Sequence, residues 1–155
     1  MIQRIQTLYL LLAAVLMSLA LFLPLATILD GSNEIVVKAF SVSGLQDAAG
    51  TLPIYLGLLL ALTTALLLTI IFLFKRRMLQ IRLCVSAIVL LVGSAAFIGL
   101  YCYRLCDLLA SLEGDKVFTL GFASLMPVVA IIPVVLAIRG IARDEALVRS
   151  LDRIR

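Results

Sequence analysis

The chain has 155 residues, of which 64% are hydrophobic and 14% are charged, and its formal net charge is +4. Soluble domains are about half apolar and about a quarter charged, so a water-soluble fold of this size could not bury so much apolar surface. The length allows one domain, and the composition places that domain in a membrane.

Four apolar stretches are long enough to cross a bilayer. A helix that rises about 1.5 Å per residue needs about 20 residues to cross about 30 Å of hydrocarbon. The four stretches contain no Asp, Glu, Lys, Arg or His, and they cover residues 7–29, 52–74, 83–103 and 117–138. We therefore predict an all-α membrane protein, in which residues 1–155 form one bundle of four transmembrane helices.

The first stretch has the outline of a signal peptide, because Arg4 precedes an apolar core and small residues lie near Ala26. Cleaved signals have apolar cores of about 7 to 15 residues, and this core is longer. We therefore interpret it as a retained anchor. Pro24 removes a backbone donor and should bend or end the helix near its outer end.

The connection between the first two spans, residues 30–50, is the one long polar loop. Its segment "EIVVKAFSVSGL" is rich in β-branched residues and has turn-forming residues on both sides, which predicts a short β-hairpin. A lone two-stranded hairpin is marginal in water. We expect this hairpin to lean on the helix ends.

Spans two and three offer small residues at helical spacing, which lets transmembrane helices approach closely. The spacing predicts that the two faces meet, or else the small residues reflect only their general frequency in membrane helices. The faces comprise Gly57, Ala61, Ala65 and Thr69 on span two, and Ala87, Leu91, Ala95 and Gly99 on span three.

Basic residues are concentrated in two of the polar segments. The middle loop contributes four, the tail five and Arg4 one, which makes ten on one side against Lys38, Arg104 and Lys116 on the other. Short loops rich in Lys and Arg stay in the cytoplasm, so both termini and the middle loop are predicted to be cytoplasmic. The middle loop also predicts contacts with anionic lipid headgroups through Lys75, Arg76, Arg77 and Arg82.

Span four contains Pro127 and Pro133, which should bend or end the helix locally, and it is followed by a polar tail over residues 139–155. In the tail, Leu147, Leu151 and Ile154 recur at helical spacing beside charged residues, which predicts a short amphipathic helix. Such a helix either caps the inner end of the bundle or offers an apolar strip to a partner.

The sequence lacks the residues that most membrane chemistry uses. No ionisable side chain other than cysteine or tyrosine lies in the four stretches, and the chain has no histidine. The excess of basic residues follows from topology, which removes the case for nucleic-acid binding. We therefore expect no enzymatic activity, cofactor or metal, and we expect the lipid bilayer and a protein complex as the partners.

Two cysteines leave an enzymatic alternative open. Cys102 and Cys106 lie one helical turn apart near the outer end of span three, on the side where an oxidising compartment would act on them, and membrane thiol oxidoreductases use closely spaced pairs such as C-x-x-C. Two cysteines four residues apart on a rigid helix are poorly aimed at each other, and Cys84 lies near the opposite face. A second alternative is a carrier for a lipid or an apolar solute, which would require a continuous cavity between the spans.

The opening "MIQRIQTLYLLLAA" and the closing "RGIARDEALVRSLDRIR", placed around four hydrophobic spans, resemble a bacterial family classified as domain of unknown function 4293. The resemblance implies a small four-helix inner-membrane protein with no catalytic residues to carry over. It covers the whole length, and its distinctive residues lie at the two ends. They comprise Gln3, Arg4 and Gln6, and Asp144, Glu145, Arg149, Asp152 and Arg153.

These patterns together predict a non-enzymatic accessory or scaffold subunit that binds a partner from the cytoplasm. The site would be built from the two chain ends. Its residues are predicted to be Gln3, Arg4, Gln6, Arg143, Asp144, Glu145, Leu147, Val148, Arg149, Leu151, Asp152, Arg153 and Ile154.

The orientation can be tested by accessibility labelling. In a variant whose three cysteines are replaced by alanine, a membrane-impermeant thiol reagent should label Gly50→Cys in intact cells, and it should label Arg155→Cys only after lysis. The reason is that the tail carries five of the basic residues. Labelling of position 155 in intact cells would reverse the topology.

Overall fold

The computed structural model describes residues 2–30, 33–44, 53–73, 76–110 and 116–152. Four helices dominate it, and a short 3-10 turn at Phe122–Leu125 precedes the last of them. The helices are α1 (Ile2–Phe22), α2 (Ile54–Phe72), α3 (Arg77–Ala110) and α4 (Met126–Asp152). The strands are β1 (Ala26–Asp30), β2 (Asn33–Val37), β3 (Val42–Ser43) and β4 (Lys116–Leu120).

The four helices form a closed bundle in which each helix packs against two others. α1 packs against α4 and α2, and α3 packs against α2 and α4, with the α1–α4 contact the most extensive. All four helices are long and apolar enough to cross a membrane. The prediction of a helical protein with four candidate membrane spans is therefore confirmed.

The buried face of every helix repeats at alternating intervals of four and three residues. A repeat of 3.5 residues is the pattern of left-handed bundles, in which side chains of one helix fill gaps in the next. In α1 the stripe is Gln6, Leu10, Ala13, Met17 and Ala20, and in α4 it is Ala130, Val134, Ala137 and Ile141, followed at the same spacing by the half-buried Asp144. In α2 it is Leu56, Leu60, Thr63, Leu67 and Ile70, and in α3 it is Gln80, Cys84, Ala87, Leu91, Ser94 and Ile98.

The end of the predicted first span and the start of the fourth need correction. α1 ends at Phe22, just before Pro24, as the missing backbone donor of proline predicts. Residues 26–30 then form a strand instead of continuing the span to residue 29, and residues 116–120 form a strand where the fourth span was predicted to begin. The physical reason is strand pairing, which satisfies these backbone groups without a helix.

A four-stranded antiparallel sheet with the order β3, β2, β1, β4 lies at the end of the bundle where α1 ends and α4 begins. The hairpin predicted for residues 34–45 is present in part as β2 and β3, but it is one edge of this larger sheet. β1 is central, pairing Ile28 with Ile35 of β2 and with Phe118 of β4. Alternate residues face the core, so Ala26, Ile28, Ile35 and Val37 are buried.

The sheet rests on the helix ends, as expected for a hairpin that is too small to be stable alone. Phe40, which follows β2, packs over Gly57 in the first turns of α2, so closely that no side chain could replace the glycine hydrogen. α3 is 34 residues long, about 51 Å, and therefore extends beyond a bilayer core at this end. Its outer residues Cys102 and Leu105 belong to the same buried cluster as the sheet.

The small-residue faces predicted for α2 and α3 meet only in part. The two helices are neighbours, and Gly57, Ala87 and Leu91 are buried. However, Ala65, Thr69 and Gly99 are exposed, so that part of the prediction is wrong. The buried face of α2 instead follows the 3.5-residue stripe. The small residues that line a long interface lie on α1 and α4, where Ala13, Ala20, Ala130 and Ala137 are buried.

The prolines of α4 do not end that helix. Pro127 lies in its first turn, where a missing N–H costs little, and Pro133 lies inside a helix that runs on to Asp152. The tail predicted at residues 139–155 is therefore a direct continuation of span four through residue 152. On the other side of the sheet, Pro53 precedes α2, which begins at Ile54.

The junction between β4 and α4 gives a stability prediction. A Cβ atom at Gly121 would overlap the backbone oxygen of Pro24 and lie 3.1 Å from the carbonyl carbon of Leu25. Backbone cannot move aside as a flexible side chain can, so Gly121→Ala should cost about 1 to 3 kcal/mol of the free energy of unfolding. Gly99→Ala is the control, because nothing lies within 4 Å of its added Cβ.

The measurement is the midpoint of thermal unfolding in detergent. Unfolding is monitored with a thiol-reactive fluorophore, which reacts with the buried Cys84 and Cys102 when they become exposed. Gly121→Ala should lower the midpoint by several degrees, and Gly99→Ala should leave it unchanged or raise it slightly. Equal midpoints for the two variants would contradict the packing described at this junction.

Candidate polar site at the terminal end of the bundle

The end of the bundle at which α1 begins and α4 leaves is called the terminal end here. α1 has 21 residues, about 31 Å, so it is just long enough to cross a hydrocarbon core. Gln6 lies one helical turn inside its start and is only 7% exposed. A membrane-spanning α1 would therefore place the polar side chains of the terminal end near the boundary between hydrocarbon and headgroups.

A hydrogen bond joins the two chain ends at this level. The side-chain Nε2 of Gln6 donates to the Oδ2 of Asp144, with 2.6 Å between the atoms. Gln6 is the first residue of the buried stripe of α1, and Asp144 is the last residue of the stripe of α4. The helices run in opposite directions, so the two polar positions face each other. A hydrogen bond to a charged, partly buried group is among the stronger ones in proteins.

Gly140 makes room for this contact. A Cβ at position 140 would lie 2.9 Å from Cγ and 3.3 Å from Nε2 of Gln6. The Gln6 side chain therefore lies across α4 at the one residue that has no side chain to obstruct it. Gly140 precedes Asp144 by one helical turn, so the Gln6 side chain packs against the glycine and donates its hydrogen bond to the carboxylate one turn further on.

A second buried glutamine lies at the same end. Gln80, 4% exposed, donates from Nε2 to the backbone oxygen of Ile70 at 3.3 Å. The same carbonyl accepts the backbone N–H of Leu73 at 3.2 Å, so Gln80 adds a second donor, from α3, to the last turn of α2. Polar residues thus occupy the last layer of the stripes of α1, α3 and α4, and threonines occupy the middle of the stripe of α2.

A cavity of about 400 Å³ opens beside the Gln6–Asp144 contact, along the groove between α1 and α4. Its walls combine apolar residues with two arginines and the polar pair. The lining residues are Ile5, Gln6, Tyr9, Leu136, Arg139, Gly140, Arg143, Asp144 and Leu147. Small-molecule sites in proteins are typically clefts of about 300 to 1,000 Å³ with mostly apolar walls and a few polar groups.

The structure brings together part of the set that the sequence predicts. Gln6, Arg143, Asp144 and Leu147 all line the cavity, whereas Glu145 is half-buried and is not among the lining residues. The side chains of the remaining predicted partner-binding residues lie outside the described part of the chain. These are Gln3, Arg4, Val148, Arg149, Leu151, Asp152, Arg153 and Ile154.

The basic loop stands apart from this cavity. Arg76 and Arg82 are exposed, while Lys75 and the side chain of Arg77 lie outside the described residues. None of the four lines the cavity between α1 and α4. Their predicted contact with lipid headgroups therefore concerns a different part of the terminal end.

Sequence reasoning missed Ile5, Tyr9, Leu136, Arg139 and Gly140. The signal was available in the helical phase, because Leu136, Arg139, Gly140, Arg143 and Leu147 recur at intervals of three and four. Knowing that this face is next to α1 required the pairing of the first and last helices, which no short-range pattern contains.

The two cysteines of the enzymatic alternative lie in the outer part of α3. Cys102 is buried and Cys106 half-buried, while Cys84 is buried about five turns earlier in the same helix, and all three are free thiols. Among the residues that the structure describes, no three His, Cys, Asp or Glu side chains group to form a metal site.

The fold and the site define a protein with four helices able to cross a membrane, closed by a small sheet at one end and by a polar contact between its chain ends at the other. A family model described as a domain of unknown function, DUF4293, matches residues 2–154, so the chain belongs to this family. The resemblance inferred from the two chain ends is thereby confirmed. No curated protein matches the chain.

The Gln6–Asp144 contact can be measured by a double-mutant cycle. We expect Gln6→Ala and Asp144→Ala each to destabilise the bundle, and the double variant to lose less than the sum of the two. The coupling should be about 1 to 2 kcal/mol, since the hydrogen bond involves a charged and partly buried group. Thermal unfolding in detergent provides the midpoints.

A matched pair for the control cycle is Arg76→Ala with Asp144→Ala, because Arg76 lies at the same end and outside the cavity. That pair should be additive within about 0.5 kcal/mol. Additivity of the Gln6 and Asp144 changes would show that the hydrogen bond does not hold the chain ends together.

Proposed function

We propose that this protein is a non-enzymatic accessory subunit of a membrane complex, which binds a protein partner through the end of α4. The observation that supports this most strongly is the extension of α4. The helix continues through Asp152, eight residues beyond the residue that Gln6 holds, which is about 12 Å of helix. A projecting helix fixed at its base is suited to docking, because little ordering is needed on binding.

The proposed partner is a protein with an apolar groove that accepts one face of this helix. Leu147 stands at the base of the projection and is 58% exposed. Leu151 follows one turn later and Ile154 continues the same spacing in the sequence. Helices laid into grooves are recognised by apolar anchors at such intervals. The acidic residues among the arginines favour a protein partner, since a helix lying on a membrane typically has a basic polar face.

The proposed orientation has the projecting helix in the cytoplasm. α1 begins and α4 ends at one end of the bundle, as an even number of crossings requires. The ten basic residues of the chain ends and the middle loop favour the cytoplasm for that end. Under the family resemblance this membrane is the inner membrane of a bacterium, and the partner is then cytoplasmic or shares that membrane.

Site-specific photo-crosslinking tests the proposal. A photoreactive amino acid replaces Leu147 in the full chain, and native membranes are irradiated. We expect one discrete protein adduct of constant mass. The control carries the same amino acid in place of Val89, which is 67% exposed in the middle of α3 and faces lipid under this topology. It should give no protein adduct of that mass.

A truncation identifies the binding segment. Deleting residues 148–155 leaves Leu147 and the Gln6–Asp144 hydrogen bond in place, so insertion and the unfolding midpoint should be close to those of the full chain. The adduct at position 147 should fall at least about tenfold, because the anchors beyond the base are removed. An adduct of unchanged yield after truncation would exclude the tail as the docking segment.

A further inference from the structure

We propose that the cavity between α1 and α4 binds the headgroup and glycerol region of an anionic phospholipid. This inference goes beyond the protein partner proposed above, and it concerns the groove beside the helix rather than the projecting segment. The three observations that carry it are the depth of the cavity, its charge and its apolar walls.

In a membrane-spanning bundle the cavity lies close to the boundary between hydrocarbon and headgroups. Gln6 is 16 residues before the end of α1 at Phe22, which places it about 24 Å from the sheet end of the bundle. Gly140 and Asp144 are at the same depth as Gln6 because they contact it. A hydrocarbon core is about 30 Å thick, so the backbone of Arg143 lies roughly 6 Å inside its boundary, and a long arginine side chain can extend from there toward the phosphates.

The charge of the lining favours an anion. Arg139 and Arg143 are one helical turn apart, so both lie on the same side of α4, and both line the cavity. The single carboxylate of the lining, Asp144, accepts the hydrogen bond from Gln6. Two cations against one anion leave the lining positive. Guanidinium groups also match phosphate oxygens geometrically, and basic pockets between transmembrane helices at this depth bind anionic headgroups.

The apolar walls favour a lipid over a soluble anion. Tyr9 and Leu136 line the cavity on the side toward the membrane interior, about one turn deeper than Gln6 on α1 and about two turns deeper than Arg143 on α4, and Ile5 adds apolar surface at the level of Gln6. A free phosphate ion would gain nothing from these walls. A phospholipid presents a charged phosphate and the first methylene groups of its chains together, which corresponds to the order of groups along the groove.

The test uses the absence of tryptophan from the chain. Tyr9→Trp introduces a single fluorophore into the cavity wall, and Val89→Trp introduces one on the exposed face of α3 as the control. Each full-length variant is reconstituted in phosphatidylcholine bilayers that contain increasing fractions of phosphatidylglycerol with brominated chains, which quenches nearby tryptophan. The fluorescence gives the affinity of phosphatidylglycerol relative to phosphatidylcholine at each position.

We expect a preference for phosphatidylglycerol of about tenfold or more at position 9 and a ratio near one at position 89. Adding Arg139→Gln and Arg143→Gln should remove the preference at position 9. The matched charge control, Arg76→Gln with Arg82→Gln, should change it less than about threefold, because those exposed residues lie outside the cavity. Millimolar inorganic phosphate should leave the preference unchanged.

Three outcomes would overturn the proposal. Equal preferences at positions 9 and 89 would mean that no site exists. Equal losses from the two pairs of arginine substitutions would mean diffuse attraction to the surface. Displacement by inorganic phosphate would identify the ligand as a soluble anion. The lipid assay needs no protein partner, so its failure would leave the photo-crosslinking result at Leu147 independent.

Discussion

The bundle depends on the packing of one narrow stripe per helix, because a lipid solvent supplies little hydrophobic force between helices. Leu facing lipid and Leu facing another helix are in similar surroundings, so the preference for one face must come from shape and polar pairing. The 3.5-residue repeat provides both. In α1 and α4 it presents alanines along the interface and ends on Gln6 and Asp144, whose hydrogen bond fixes how the two helices align. Sliding one helix by a turn would leave a carboxylate without its donor.

The stripes also explain where polar side chains occur inside an apolar molecule. Thr63 and Thr64 of α2 bond to the carbonyls of Leu59 and Leu60 one turn back in their own helix, and Ser94 of α3 bonds to Leu91 three residues back. These hydroxyl groups are satisfied locally and need no partner across the bundle. Gln6 and Gln80 are different, because each reaches another helix. Among the described residues, two side-chain hydrogen bonds between helices therefore lie at the terminal end. They fix the positions of the helices relative to one another at that end.

Much of the fold follows from composition, and the part that does not has a physical explanation. Apolar length predicts four spans, since uncharged runs of about 20 residues have few other uses. It misplaces their ends at Ala26–Asp30 and Lys116–Leu120, because strands beside a membrane can be as apolar as a helix. Leu29 and Val117 are cross-strand partners on the exposed face, and they hide the alternation that would have marked the strands. Their pairing joins segments nearly 90 residues apart, which no local pattern records.

The candidate site, like the fold, could be predicted from the sequence only in part. Gln6 and Asp144 could be selected from the sequence because they are polar residues at the ends of long apolar helices, and the resemblance of both chain ends to one family indicated the same pair. The cavity beside them could not, because its walls come from ordinary residues such as Ile5 and Leu136 that acquire meaning only when α1 lies against α4. In a membrane helix every face is apolar, so hydrophobicity does not distinguish the side that meets a neighbour from the side that meets lipid. The side that meets a neighbouring helix is indicated instead by its small and polar residues.

The two ends of the molecule are held together in different ways, and this difference explains why a groove forms beside Gln6. At the sheet end, β1 connects α1 to β2 and pairs with the strand that leads into α4, so backbone hydrogen bonds hold the helix ends together. At the terminal end there is no such sheet among the described residues, and α1 and α4 are joined through side chains alone. Side chains leave gaps where backbone pairing would not, and the groove beside Gln6 is such a gap. Because α4 continues past it, whatever occupies the groove contacts the base of the projecting helix.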